Sequence, residues 1–286
     1  MEASKTSKRR VSISGMLKYL GVSRSGYRAF TKHKPSASQQ HKDAMKDKIR
    51  KVYDRSKQNY GAPKITVELR RDGEVIAERT VGKYMHEMGI RAQWVKPWIA
   101  TTVDSDFSKE LHNILNEQFN PARPNAVWCT DITYIWTCDG FVYLTSVMDL
   151  YSRKIIAWTL SDNMETSCVV ETIDKAKSRR NTDLPLVLHS DRGSQYVSRE
   201  YRKAAEKFEL SYSHKGYPYD NACIESFHSL IKREWLNRFQ IINLDHAHTL
   251  VFEYIEAFYN TVRIHSHCDY MSPNQFERLY NKVTAA

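Results

Sequence analysis

The stretch "AVWCTDITYIWTCDGFVYLTSVMDLYSRKIIAWTLS" (126–161) decides the fold. Its first twelve residues are rich in aromatic and β-branched side chains, the composition of a strand. Asp139-Gly140 is a hairpin turn signal, and "FVYLTSVMDLY" reads as the returning strand. Ser152-Arg153 turns the chain again, into "KIIAWTLS". After these three antiparallel strands the pattern alternates. It predicts a helix over 164–179, a strand in "LPLVLHSD" (184–191), a helix over 198–209 and a short strand near 210–214. Two further helices are expected, one from about 221 and one over 245–260. Antiparallel strands followed by alternating helix and strand imply an α/β fold, a mixed sheet with helices on its faces.

Upstream of 126 the chain reads as helical. In "VSISGMLKYLGVSRSGYRAFTKH" (11–33), Ile13, Met16, Leu17 and Leu20 recur at helical spacing. Gly21 ends that helix and Ser23 can cap the next, which carries Arg24 and Arg28. This is the outline of a helix-turn-helix, whose second helix enters the major groove of DNA. A charged helix over 36–58 has a thin apolar stripe of Ala44, Ile49 and Val52. Residues 59–92 repeat the two-helix design, with helices over 63–71 and 77–88 around Asp72-Gly73. Arg70, Arg71, Arg79 and Lys83 make this second unit basic. Residues 93–120 read as a linker, with Pro-rich joints around a helix in "DFSKELHNILNEQF" (106–119). The expected organisation is therefore 1–58, 59–92, 93–120 and a core over 121–286.

Charge supports that division. Residues 1–100 hold 23 Lys and Arg against 9 Asp and Glu, and the rest holds 20 against 24. A basic first third on a mildly acidic remainder suggests a polyanion-binding module joined to something else. The five cysteines (129, 138, 168, 223, 268) are scattered without zinc spacing and read as free thiols. No apolar run is long enough to span a membrane, and the N-terminus lacks a signal-peptide core. A cytoplasmic protein is expected.

Three acids occupy suggestive places. Asp131 interrupts an apolar strand, where a carboxylate is costly unless paired or metal-bound. Asp191 ends the fourth strand beside a Gly-containing turn, a common place for active groups. Glu225 lies in "YDNACIESFHSLIKREW" (219–235), on the helix from about 221. Phosphoryl transfer on nucleic acid needs divalent ions held by hard oxygen ligands, and such a triplet can supply them.

"PNAVWCTDITYI", "LHSDRGSQY", "YDNACIESFHSLIKREW" and "YNTVRIHSHCDYMSPNQF" together resemble the successive motifs of bacterial insertion-sequence transposases with an integrase-type (DDE) core. Within that family the chain resembles the second-frame product of elements with two overlapping reading frames. "YGAPKITVEL" through "MHEMGIRA" resembles the helix-turn-helix segment before the core. The resemblance implies a ribonuclease-H-like five-stranded sheet behind a mainly helical N-terminal region. It implies that Asp131, Asp191 and Glu225 are the catalytic metal ligands, holding two Mg²⁺ or Mn²⁺ ions. It further implies cleavage at the element's ends, attack of the freed 3′-OH on target DNA, a homo-multimer on paired ends and an upstream-frame partner or fusion. The implied setting is the bacterial cytoplasm, at the nucleoid, with no membrane contact. The 33 residues between Asp191 and Glu225 are about two fewer than the family's spacing. That shortening keeps a second reading open, a DNA-binding regulator with an impaired core.

Other residues follow from position. Lys232, seven after Glu225, faces the same way and is placed on DNA phosphate, with Arg24, Arg28, Lys64, Arg79 and Lys83 as further DNA contacts. His189, two before Asp191, and Asn221, ahead of the helix as its cap, are placed as supports. Arg192 is expected to add positive charge beside the acids, and Asp149 to stabilise a turn. Glu234, half a rotation from Glu225, is expected to face solvent or an ion partner; Asp220 precedes the helix, where its charge suits the dipole. Arg263 and His265 match a family motif without a derivable role, and Trp94, Trp98 and Trp128 are expected to pack.

Overall fold

The computed structural model describes residues 12–32, 34–93, 111–214 and 217–284. The chain divides into two compact units, Met1–Arg50 and Lys51–Ala286.

In the first unit, helices α1 (Ile13–Tyr19) and α2 (Arg24–Thr31) are both capped by serine, at Ser23 as expected and at Ser12 in addition. The Ser12 hydroxyl accepts from the Gly15 amide, and Ser23 from that of Gly26. Gly21, at φ +67°, makes the left-handed turn between them. Helix α3 (Ala37–Arg55) begins in this unit. Its buried stripe is Met45, Ile49, Val52 and Tyr53, while Ala44 is exposed. The helical period runs from Met45 to Ile49 in one four-residue step, which displaces the expected alanine.

In the second unit, α4 (Ala62–Arg71) and α5 (Glu78–Glu87) bury Ile65, Leu69, Val81 and Met85. This helix pair is fastened to the C-terminal region. The Tyr60 hydroxyl accepts from the Ile264 amide at 2.8 Å, and Arg71 donates to the carbonyls of Asp269 and Tyr270. Arg238 donates to the Lys57 carbonyl and the Asn59 side chain.

The sheet comprises β1 (Val127–Thr137), β2 (Gly140–Asp149), β3 (Lys154–Ser161), β4 (Val187–Ser190) and β5 (Glu209–Tyr212), in the order β3-β2-β1-β4-β5. The first three are antiparallel; β1–β4 and β4–β5 are parallel. Helices α6 (Thr166–Arg179) and α7 (Arg199–Ala204) cover one face, packing Val169, Ile173 and Tyr201 with Trp128, Val147 and Leu188. The other face carries α8 (Ala222–Glu234) and α9 (Leu244–Phe252), which continues as a π-helical stretch, Glu253–Tyr259. There Ile224, Phe227, Ile231 and Tyr254 pack on Cys129, Ile135, Leu144 and Met148. Strand alternation sends Trp128 to one layer and Cys129 to the other.

Several expectations need correction. Residues 111–119 form bends and turns, not the end of a helix, and they bury Leu111 and Leu115 in the core. The beginning of that predicted helix lies outside the described residues, as do Trp94 and Trp98. Trp128 is fully buried, edge-on to Phe208 at 5.5 Å. A final helix, α10 (Pro273–Thr284), was not expected as a separate element.

Candidate active site

Asp131 sits on β1 just past Cys129, the last residue to pair with β4, and lies opposite Ser146 of β2. Asp191 follows the last residue of β4, and its Oδ1 accepts the Gly193 amide at 2.9 Å. A Cβ on residue 193 would lie 3.1 Å from that oxygen, so glycine lets the turn close on the carboxylate. Glu225 occupies the first turn of α8.

The three come from separate elements yet sense one another. The Glu225 carboxyl is pushed up to about 7, by desolvation first and then by the charges of Asp131 and Asp191. Fully buried Tyr196 lies behind them; burial, Asp131 and Asp191 all push its hydroxyl well up. Among the described residues, no three acidic, imidazole or thiol groups converge tightly enough to hold an ion as they stand. The chemistry of the donors nevertheless fits a hard divalent cation: three carboxylates from neighbouring elements offer it oxygen ligands.

The supporting residues fall into place unevenly. Lys232 lies 4.3 Å from the Tyr134 ring centroid; burial lowers its ammonium pKa while Asp131 acts to raise it, so it borders the acids. His189 is buried and pushed down to about 4 by desolvation. Its ring nitrogens meet the hydroxyls of Ser211 and Ser213 at 2.8 and 3.2 Å, tying β4 to β5. Asn221 precedes α8 but makes no side-chain capping bond; its Nδ2 donates to the Thr130 carbonyl at 3.5 Å, joining the helix start to β1. Arg192 turns away, donating to the carbonyls of Ser213 and Leu111. Buried Asp149 accepts the amides of Asn125 and Tyr151, the expected turn role, and burial raises it to about 6. Asp220 is also buried, accepting from the backbone and ring of His214. Glu234 does not face solvent: it is buried against Arg263.

Of the residues placed on DNA, Arg24 and Arg28 lie exposed one turn apart on α2, and Arg79 and Lys83 likewise on α5. Lys64 departs from expectation. It is half-buried beside the Tyr60 ring, and burial with the Arg263 charge lowers it to about 8. Sequence reasoning passed over His228. It is buried on α8, Nδ1 3.3 Å from Asp131 Oδ2 and Nε2 3.4 Å from the Ser146 hydroxyl. Its offset of three from Glu225, on the same helix face, was the available signal.

Family models cover both parts of the chain. "Integrase core domain" models match residues 121–218 and 206–273, and an "HTH-like domain" model matches 40–98. The transposase of insertion element IS904 from Lactococcus lactis is 37% identical, covering 87% of this chain and 98% of its own. Transposase InsF of IS3A from Escherichia coli is 35% identical, covering 93% and 94%. The chain belongs to the insertion-sequence transposases. This transposase is accordingly a DNA-binding, DNA-integrating enzyme of the DDE polynucleotidyl-transferase type. Among solved structures, the catalytic core of the HTLV-2 integrase in complex with magnesium aligns at TM-score 0.41 and 17% identity, covering 54% of the transposase and 97% of that core. Among the described residues, no helix is long and apolar enough to cross a membrane.

Proposed function

We propose that Asp131, Asp191 and Glu225 form the catalytic centre of this transposase and hold two divalent cations, Mg²⁺ or Mn²⁺. The observation that supports this is the convergence of three elements: β1 carries Asp131, the turn after β4 holds Asp191 through Gly193, and the first turn of α8 brings Glu225 within the field of both aspartates. Bound cations would supply activation of the attacking oxygen and stabilisation of the leaving one. The chain's own residues do the rest. Gly193 and Asn221 fix the turn and the helix start that present Asp191 and Glu225. Lys232 offers an ammonium to a phosphate entering beside Asp131. Arg24, Arg28, Arg79 and Lys83 grip the DNA backbone, while Lys64 acts mainly from within the fold.

The reaction sequence is hydrolysis at the element's ends, then attack of the freed 3′-OH on another phosphodiester. Each step exchanges one P–O bond for another. The enzyme works as a homo-multimer on paired ends in the bacterial cytoplasm, at the nucleoid, with or fused to an upstream-frame partner. The test is joining of DNA that carries the element's ends, with Mg²⁺ or with chelator, by wild type and by Asp131→Asn, Asp191→Asn and Glu225→Gln. Loss with each variant and with chelator is expected. Joining under chelation sinks the metal assignment. End binding without joining by wild type favours the regulator.

A further inference from the structure

Past Cys129, β1 leaves β4 and, among the described residues, continues only against β2, as an antiparallel ribbon that ends at Asp139-Gly140. Among the described residues, its edge on the β4 side is unpaired from Thr130 to Thr137, save for the Asn221 contact at Thr130. Alternation puts Tyr134 and Trp136 on the α6 side with Trp128, and Phe141 pairs directly with Trp136. Helices α6 and α7 cover the base of that face, where Val147 and Trp128 are buried. At the hairpin end three rings stand open: Tyr134, Trp136 and Phe141 are 52%, 64% and 48% exposed. They form one cluster, with Phe141 edge-on to Tyr134 at 5.4 Å and to Trp136 at 4.8 Å.

Solvent exposure of three large rings is costly without a partner. What adjoins the cluster indicates that partner. The Lys232 ammonium lies over Tyr134 and within the field of Asp131, so one cation links the rings to the acids. Aromatic faces beside a cation that can meet phosphate are the recurring design of single-strand binding surfaces. Rings on an open sheet face also serve RNA-binding modules in the same way. A duplex presents paired, stacked bases that cannot reach such rings; an unpaired strand can.

We propose that Tyr134, Trp136 and Phe141, with Lys232 at their edge, form a stacking platform for unpaired nucleobases of the DNA strand that enters the acid site. The platform takes bases without reading sequence, because every base has a π face. It holds a frayed end or an opened target strand in line along the free edge of β1. This rests on the acid site acting on DNA, and Asp131→Asn separates the two readings. Joining by that variant sinks the acid assignment; ring-dependent strand binding is judged on its own.

The test uses the full chain with an end-labelled oligodeoxythymidylate strand and its abasic counterpart. Trp136→Ala and Phe141→Ala should each weaken binding of the base-containing strand about tenfold. Trp136→Tyr should retain most of the affinity, and the strand should quench a fluorescence component that Trp136→Phe lacks. The abasic strand should bind wild type weakly and show no further loss with the variants. Equal binding of the base-containing strand by wild type and both alanine variants overturns the proposal. So does an equal loss with the abasic strand. A fall in sedimenting mass at unchanged strand affinity also overturns it, and assigns the rings to a second copy of the chain.

Discussion

Arg263 and Glu234 form a two-pronged ion pair: Nε donates to Oε2 and Nη2 to Oε1, each at 2.7 Å. The Tyr254 hydroxyl donates to the same Oε2 at 2.8 Å. Both charged side chains are buried. Burial alone would raise the Glu234 carboxyl, but the bonds and charge of Arg263 more than offset that and hold it below its usual range. Glu234 closes α8, the helix that carries Glu225 in its first turn. Lys64 of α4 lies close enough to feel both charges, so the pair also sits where the helix pair meets the core. Removing one partner strands a buried charge. Arg263→Ala should therefore cost about 3–5 kcal/mol in urea unfolding, and replacing both residues by apolar ones much less. An Arg263→Ala loss below about 1 kcal/mol would mean the pair is solvated.

His265 sets a pH dependence. Its pKa is lowered well below 6.5, by burial first and then by Arg263 and Lys64, with His267 adding a little. The Tyr259 ring packs edge-on at 4.7 Å. Below the ordinary histidine range the unfolded chain binds a proton that the folded chain refuses. Stability from this group is thus full above about 6.5 and falls as pH drops through that value. Between pH 7.5 and pH 5.5 the urea midpoint of wild type should fall relative to that of His265→Gln, while the raised carboxyls of Glu225 and Asp149 push the midpoint of both proteins the other way. An unchanged slope in the variant would assign the dependence to another group.

The cations of the helix pair should separate by salt dependence. Arg79→Ala and Lys83→Ala should each weaken DNA binding and reduce the slope of log affinity against log salt by about one. Lys64→Ala should lower the melting temperature and leave that slope within error, because its ammonium lies over the Tyr60 ring, half-buried and within the field of Arg263. A full unit of slope lost in Lys64→Ala would place it on phosphate instead.

The strands were legible because their signals are local. The β-branched runs, Asp139-Gly140 and the Ser23 cap all act within a few residues of themselves. Helix α10 carried such a signal that went unread: the Ser272 hydroxyl accepts the Gln275 amide while Gln275 Oε1 accepts the Ser272 amide. That reciprocal capping box follows from Ser-x-x-Gln with proline at the first turn. Ser272→Ala should cost about 1 kcal/mol of stability by denaturant unfolding. Lys64 and Arg192 were misread for the opposite reason, and for that reason Glu234 was left open between solvent and an ion partner. The groups that decide them lie far along the chain, Arg263 for Glu234 and for the charge on Lys64, and Leu111 with Ser213 for Arg192, and no periodicity announces them. The 106–119 segment has helical spacing, yet its described end is drawn out by tertiary bonds: the Ser211 hydroxyl accepts the amides of Ile114 and Leu115.

The central claim is that Glu225, alone among the carboxylates of α8, completes the centre with Asp131 and Asp191. The most direct measurement is the rate of strand transfer by Glu225→Gln against wild type, in Mg²⁺, at matched melting temperature and DNA affinity. Residues behind a metal ligand cost about 10–100-fold when changed, so loss of a ligand itself should cost at least about a hundredfold. A rate within tenfold of wild type would contradict the account.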